Sequence, residues 1–257
     1  AKLMPQFEAS HGQSGFVCGQ VNPERAGDRD SMLPMARRYH AWAPNIAVKL
    51  PATSAGLDVM EDCIAEGITI AMTVSFTVPQ AIAIAERHMA GIGRARAKGT
   101  QPGKCFAVIM IGRLDDFLRE VAHDTKAAAT EADIRFSGLS VTKRAYRIYK
   151  ERGYQAVLLV AALRGDYHLT ELAGADLLMS IAPGIQRGLV ANDLPREERI
   201  DQPIPAAALE RLRQMPEFVR AYEPDGMSPS EFVAFGATQR TLSQFIEAGW
   251  KLMENYR

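Results

Sequence analysis

Six short apolar runs, each closed by turn residues and separated from the next by a stretch with helical spacing, limit what this chain can fold into more than any other feature. They extend from Gly15 to Val21, Asn45 to Leu50, Gly67 to Val74, Cys105 to Ile111, Gln155 to Ala162 and Asp176 to Ile181, and each reads as a buried strand. Between the second and third, Leu57, Met60 and Ile64 share one helical face. Thr53 and Ser54 offer that helix an N-cap and Gly67 a stop. Alternation of this kind predicts an α/β fold in which crossover helices join parallel strands, and strands apolar along their whole length predict a sheet covered on both faces. A barrel and an open doubly wound sheet both satisfy the pattern. Past Pro183 the strand signal ends, and Ala206 to Arg220 and Ser228 to Tyr256 read as helices about the turn Glu223-Pro224-Asp225-Gly226. The chain therefore divides into an α/β part over residues 1–190 and a helical appendage over residues 191–257.

A chain of 257 residues, 47% of them hydrophobic, can bury one large core. Lys plus Arg and Asp plus Glu both number 30, so no overall field draws the chain to nucleic acid or to an anionic membrane, and any charged ligand must be held by a local cluster. No apolar run approaches the roughly 18 residues that a membrane span needs. Cys18, Cys63 and Cys105 lie far apart in apolar surroundings, which suits reduced packing residues of a cytoplasmic protein. His11, His40, His88, His123 and His168 show no paired metal spacing and read as surface or capping residues. Gly91 to Gly99, rich in glycine and positive charge but lacking the dinucleotide fingerprint, reads as a solvated insertion.

The two-residue period of the second run puts Ile46, Val48 and Leu50 on one face and Ala47 and Lys49 on the other. Lys49 then points inward near the C-terminal end of its strand, where α/β barrels keep reactive groups. A lysine desolvated there loses affinity for its proton and can attack a ketone as the neutral amine, whereas an ion-paired or snorkelling lysine is the plain structural alternative. The third run alternates in the same way and gives Thr73 an equivalent place. Its hydroxyl can hold a water or simply bond to backbone. Phe16, Cys18 and Gln20 share a face of the first run, which adds Gln20 to the interior set. Arg113 and Arg164 each end a strand, and two rim arginines can grip an oxyanion, although Arg113 could instead pair with Asp115 or Asp116.

Val48-Lys49-Leu50-Pro51-Ala52-Thr53, followed by Gly56-Leu57, Glu66-Gly67-Ile68, Met72-Thr73, Phe76 and Gln80-Ala81, closely resembles the lysine-strand signature of transaldolases and the related fructose-6-phosphate aldolases. The resemblance continues through Ile111-Gly112-Arg113, Gly138 to Val141, Tyr149 to Tyr154, Ala161 to Arg164 and Leu172 to Asp176, and reaches Pro183. It implies a (β/α)8 TIM barrel of the class I aldolase type, with Lys49 as the imine-forming residue. Thr73 helps position the catalytic water, Arg113 and Arg164 hold the phosphate of a sugar phosphate, and no metal or cofactor takes part. Gln20 falls where transaldolases carry glutamate and fructose-6-phosphate aldolases glutamine, which implies cleavage rather than transfer. Ala71, Val108 and Ala162 replace polar residues of the family pattern, and Met110 stands in the substrate pocket where an aromatic residue is usual. The acidic residue of the family's first strand has no counterpart.

The family barrel has eight strands, whereas six runs are legible here and the first aligns with the family's third. The residues 1–190 are therefore expected to supply strands three to eight. The first two strands and the acidic proton relay are expected from a longer polypeptide, a partner segment or a homo-oligomer, and a chain dependent on a partner would be inactive alone. A catalytically silent transaldolase-like subunit that binds a sugar phosphate or a protein is the competing expectation.

Overall fold

The computed structural model describes residues 2–256. Its frame is a six-stranded sheet in the order β1-β2-β3-β4-β5-β6, with every neighbouring pair parallel. The strands are β1 (Val17–Gln20), β2 (Ile46–Pro51), β3 (Ile70–Thr73), β4 (Cys105–Met110), β5 (Val157–Ala161) and β6 (Leu178–Met179). All six lie within the runs expected from sequence, except that β2 extends to Pro51. After the short helix α1 (Met4–Ala9) and β1, the crossovers are α2 (Arg29–His40), α3 (Ser54–Ala65) and α4 (Val78–Ala97). Helices α5 (Ile111–Thr125), α6 (Glu131–Ile134) and α7 (Ser137–Glu151) join β4 to β5, and α8 (Asp166–Glu171) joins β5 to β6. Beyond β6 come α9 (Pro183–Ala191), α10 (Ala206–Leu212), α11 (Pro216–Tyr222), α12 (Gly236–Phe245) and α13 (Lys251–Glu254).

The helix starts follow from local chemistry. Thr53 accepts the Gly56 N–H at 3.1 Å to cap α3, and Thr77 accepts the Gln80 N–H at 3.2 Å to cap α4. Gly56 has no substitute, because a Cβ there would lie 1.9 Å from the Pro51 carbonyl oxygen. Leu57, Met60 and Ile64 are buried as their spacing requires, each worth about 1.5–3 kcal/mol by removal from water. The stretch Gly91 to Gly99 corrects one expectation: it is no insertion, since α4 runs through it to Ala97 and a Cβ at Gly91 would strike Ile64 at 2.8 Å. The expected single helix from Ala206 to Arg220 is two, because Pro216 starts a new one.

The sheet curls. Neighbouring strands sit about 4.8 Å apart, so β1 and β4 of a flat sheet would be about 14 Å apart. Yet the rings of Phe16, just before β1, and Phe106 on β4 meet edge-to-face at 5.4 Å. Helices α2 to α7 cover the convex face, and Phe218, Phe232 and Phe235 from the C-terminal part join the same core. The concave face is only partly filled. Contrary to the expectation of two covered faces, Cys18 is exposed there and Val157 and Leu178 keep 42% and 45% of their surface in water. The arrangement is a partial barrel rather than a closed eight-stranded one: β1 and β6 are edges that do not pair with each other. No helix among the described residues is long and apolar enough to cross a membrane.

Candidate active site

Strand register brings the inward polar residues together at the C-terminal ends of the first three strands. Gln20 pairs with Lys49 across β1 and β2, and Pro51 pairs with Thr73 across β2 and β3. Gln20, Lys49 and Thr73 line one small cleft with Val21, Pro23, Pro51, Val74 and Leu242, the last reaching in from α12. None of these lining residues carries a carboxylate. The free space is about 10 Å³, barely enough for one water. Lys49 itself is partly buried. The Thr73 hydroxyl points to Met110 Sδ at 3.8 Å, which places Met110 against the same wall. Cys18 lies diagonal to Lys49 on the same face of the sheet.

The backbone around Thr73 is held in an unusual state. Val74 has φ of 54°, a left-handed conformation that β-branched residues rarely adopt. The fully buried Gln80 side chain stabilises it by accepting the Phe76 N–H at 3.0 Å and donating to the Val74 and Ala52 carbonyls at 3.1 Å each. One amide thus ties together the chain segments that leave β2 and β3.

Arg113 and Arg164 do converge. Both line a cleft of about 790 Å³ with Asp116, Arg240, Gln244 and Glu247, and Arg240 is a third cation that the strand pattern did not reveal. Burial lowers the Arg113 pKa, and the neighbouring Arg164 charge lowers it further. Arg113 pairs with neither Asp115 nor Asp116. Instead it donates to Gln244 Oε1 and stacks over the Phe245 ring at 5.2 Å. Arg164 forks onto Asp116 Oδ2 from Nε at 2.9 Å and Nη2 at 2.7 Å. Burial alone would raise the Asp116 carboxyl, but the bonds from Arg164 and Arg119 outweigh it and hold the pKa below the ordinary range. Gly112 makes room for this packing, since a Cβ there would lie 2.3 Å from the Ala162 carbonyl oxygen and 2.5 Å from Arg164 Cγ.

A third cleft links the two. It is lined by Gln20 and Arg113 together with Gln244, Phe245, Trp250 and Met253, so Gln20 is shared with the lysine cleft and Arg113 with the arginine cleft. His88 and His168 are buried rather than at the surface, and of the two His168 fits the capping alternative, accepting the Arg164 N–H just ahead of α8. A lone histidine carries no periodic signal of burial, and only contacts remote in sequence reveal it.

A parallel, curled six-stranded α/β sheet of this kind is part of a TIM-type barrel. The sequence profile of the family described as Transaldolase/Fructose-6-phosphate aldolase matches residues 1–244, and the chain belongs to this family of enzymes. It is 29% identical to a "Transaldolase" of Thiobacillus denitrificans over 276 residues, covering 98% of this chain and 72% of that protein. A "Probable transaldolase" of Dehalococcoides mccartyi is 31% identical over 156 residues, with 60% of this chain and 57% of the relative covered. A "Transaldolase" of Mycolicibacterium paratuberculosis is 31% identical over 158 residues, with 58% and 41% covered. The chain thus spans less than two thirds of the length of the last two relatives.

Proposed function

We propose that the chain is a Schiff-base aldolase or transaldolase that takes a phosphorylated ketose donor through Lys49. The observation that carries this reading is the shared lining of the three clefts: an elongated substrate can present its carbonyl to Lys49, pass Gln20 and Arg113, and rest its phosphate between Arg113 and Arg164. The free amine of Lys49 attacks the ketone carbon, and loss of water leaves an iminium. The adjacent carbon–carbon bond then breaks as the hydroxyl proton leaves, its electrons pass into the iminium to give an enamine, and an aldehyde departs. Protonation of the enamine, for cleavage, or its addition to a second aldehyde, for transfer, restores an iminium, and water then hydrolyses this to release the ketone product and return the Lys49 amine. Thr73 and Gln20 position the water that carries protons, and Gln20, which cannot serve as a carboxylate base, favours cleavage. Met110 borders the donor carbonyl and makes that end of the pocket apolar.

The open edges of β1 and β6 support a second element of the proposal, that two further parallel strands close the sheet, contributed by further sequence of the same polypeptide or by another chain. They would also supply the acid that the lysine cleft lacks. A silent subunit that keeps the lysine but only binds sugar phosphate is the competing reading, and an assay of fructose 6-phosphate cleavage separates the two. Activity in the wild type that Lys49→Met abolishes is the expected result, and a Lys49→Met variant with full activity overturns the enzyme reading.

A further inference from the structure

The buried His168 is not part of either cleft, yet it reaches the anion site from behind. Asp115 and Asp116 are consecutive on the second turn of α5 and point in different directions. Asp116 holds the guanidinium of Arg164, whereas Asp115 holds the main chain of the same arginine through His168. The Arg164 backbone N–H donates to His168 Nδ1 at 3.1 Å, and His168 Nε2 lies 2.9 Å from Asp115 Oδ2. Both side chains are fully buried. Since Nδ1 accepts, the proton must sit on Nε2 and be donated to the carboxylate. Asp115 is fixed in turn, because its Oδ1 accepts the Ser137 hydroxyl at 2.7 Å and the Gly138 N–H at 2.8 Å. Tyr167 adds a longer contact to Oδ2 at 3.4 Å, and Arg135 stacks over the Tyr167 ring at 4.3 Å.

The loop held in this way is strained. Ala162 has φ of 60°, and its carbonyl accepts from Arg164 Nη1 at 2.8 Å, so the arginine folds back over a left-handed residue. Such a turn keeps its shape only where its surroundings over-determine it. The backbone bond to His168 is one of those constraints, and it exists in only one of the two neutral tautomers.

We propose that Asp115 and His168 are positioning residues for the anion site: the carboxylate sets the imidazole tautomer, and the imidazole sets the place of Arg164. This rests on the reading of Arg164 as a phosphate ligand. Asp115→Asn is the informative isosteric change. With its oxygen kept toward Ser137 and Gly138, the new amide N–H₂ faces Nε2 and drives the proton to Nδ1, where it opposes the Arg164 N–H.

A phosphorus NMR titration with inorganic phosphate tests the idea in the whole chain, with imidazole nitrogen shifts reporting the tautomer. Asp115→Asn is expected to move the proton to Nδ1 and to weaken phosphate binding about tenfold, the scale of one bond to a charged group. In the Arg164→Ala background the same change is expected to have no further effect, because it acts only through Arg164. His168→Asn, which keeps an acceptor near Nδ1, retains affinity, whereas His168→Gln, which reaches toward Asp115 but leaves no acceptor for Arg164, loses it. This second pair decides the matter if Asp115→Asn does not fold. Unchanged binding in Asp115→Asn, an equal loss in both backgrounds, or equal binding by the two His168 variants overturns the inference. If wild type and Arg164→Ala bind phosphate alike, the anion-site reading itself has failed.

Discussion

Gln20 and Lys49 face each other across the first strand pair, with Thr73 one strand further, and the chemistry open to them depends on Gln20. An amide positions water but cannot take its proton, so Gln20→Glu is expected to raise transfer to an aldehyde acceptor relative to cleavage. A product ratio that does not move would leave Gln20 as a structural residue. At the other end, removing either Arg113 or Arg164 as Ala is expected to raise KM for a phosphorylated ketose by the worth of a charge-assisted bond, about 1.5–3 kcal/mol, and to leave KM for the unphosphorylated sugar nearly unchanged. Equal effects on both sugars would contradict phosphate recognition. The two-residue period of the strands made Gln20, Lys49 and Thr73 visible, whereas Arg113, at the start of α5, and Arg164, in the loop after β5, were legible only from their places just beyond apolar runs. The places of Gln80, His168, Arg240 and Leu242 beside these residues were not visible. Their partners lie on other elements, and no local spacing encodes such meetings.

Among the secondary-structure elements, α12 is the one that reaches into the lysine cleft: Leu242 is buried and lines it, with about 10 Å³ left free. Leu242→Ala is expected to lower KM for the donor and to cost about 2–5 kcal/mol of stability, read from steady-state kinetics and denaturant unfolding. A variant that loses stability but keeps the wild-type KM would show that α12 moves freely away from the lysine. The strands were legible to within two or three residues at their ends because they are continuous apolar runs. The true end of α4 was less so, since Gly91 and Gly93 look like breakers until Ile64 is seen packed against Gly91. Helix α9 was also missed as a separate element, its start marked only by Pro183.

For the whole molecule, the question is what covers the concave face and the two strand edges. Six strands were countable from sequence, and the curl that brings Phe16 to Phe106 was not, because curvature arises from contacts between strands three apart in the sheet. Exposed edges template pairing with another chain. Purified alone, the 257-residue chain is expected to self-associate in light scattering and to bind a dye for apolar surface. A dispersed monomer that binds no dye would mean that the edges need no partner. The central claim is covalent, and it is tested most directly by incubating the protein with fructose 6-phosphate, reducing with borohydride and measuring intact and peptide masses. The account predicts the mass of a reduced ketose adduct on the peptide that carries Lys49 and none on Lys49→Met. An unmodified Lys49 across a broad ketose panel, or an adduct of equal yield on Lys49→Met, would contradict it.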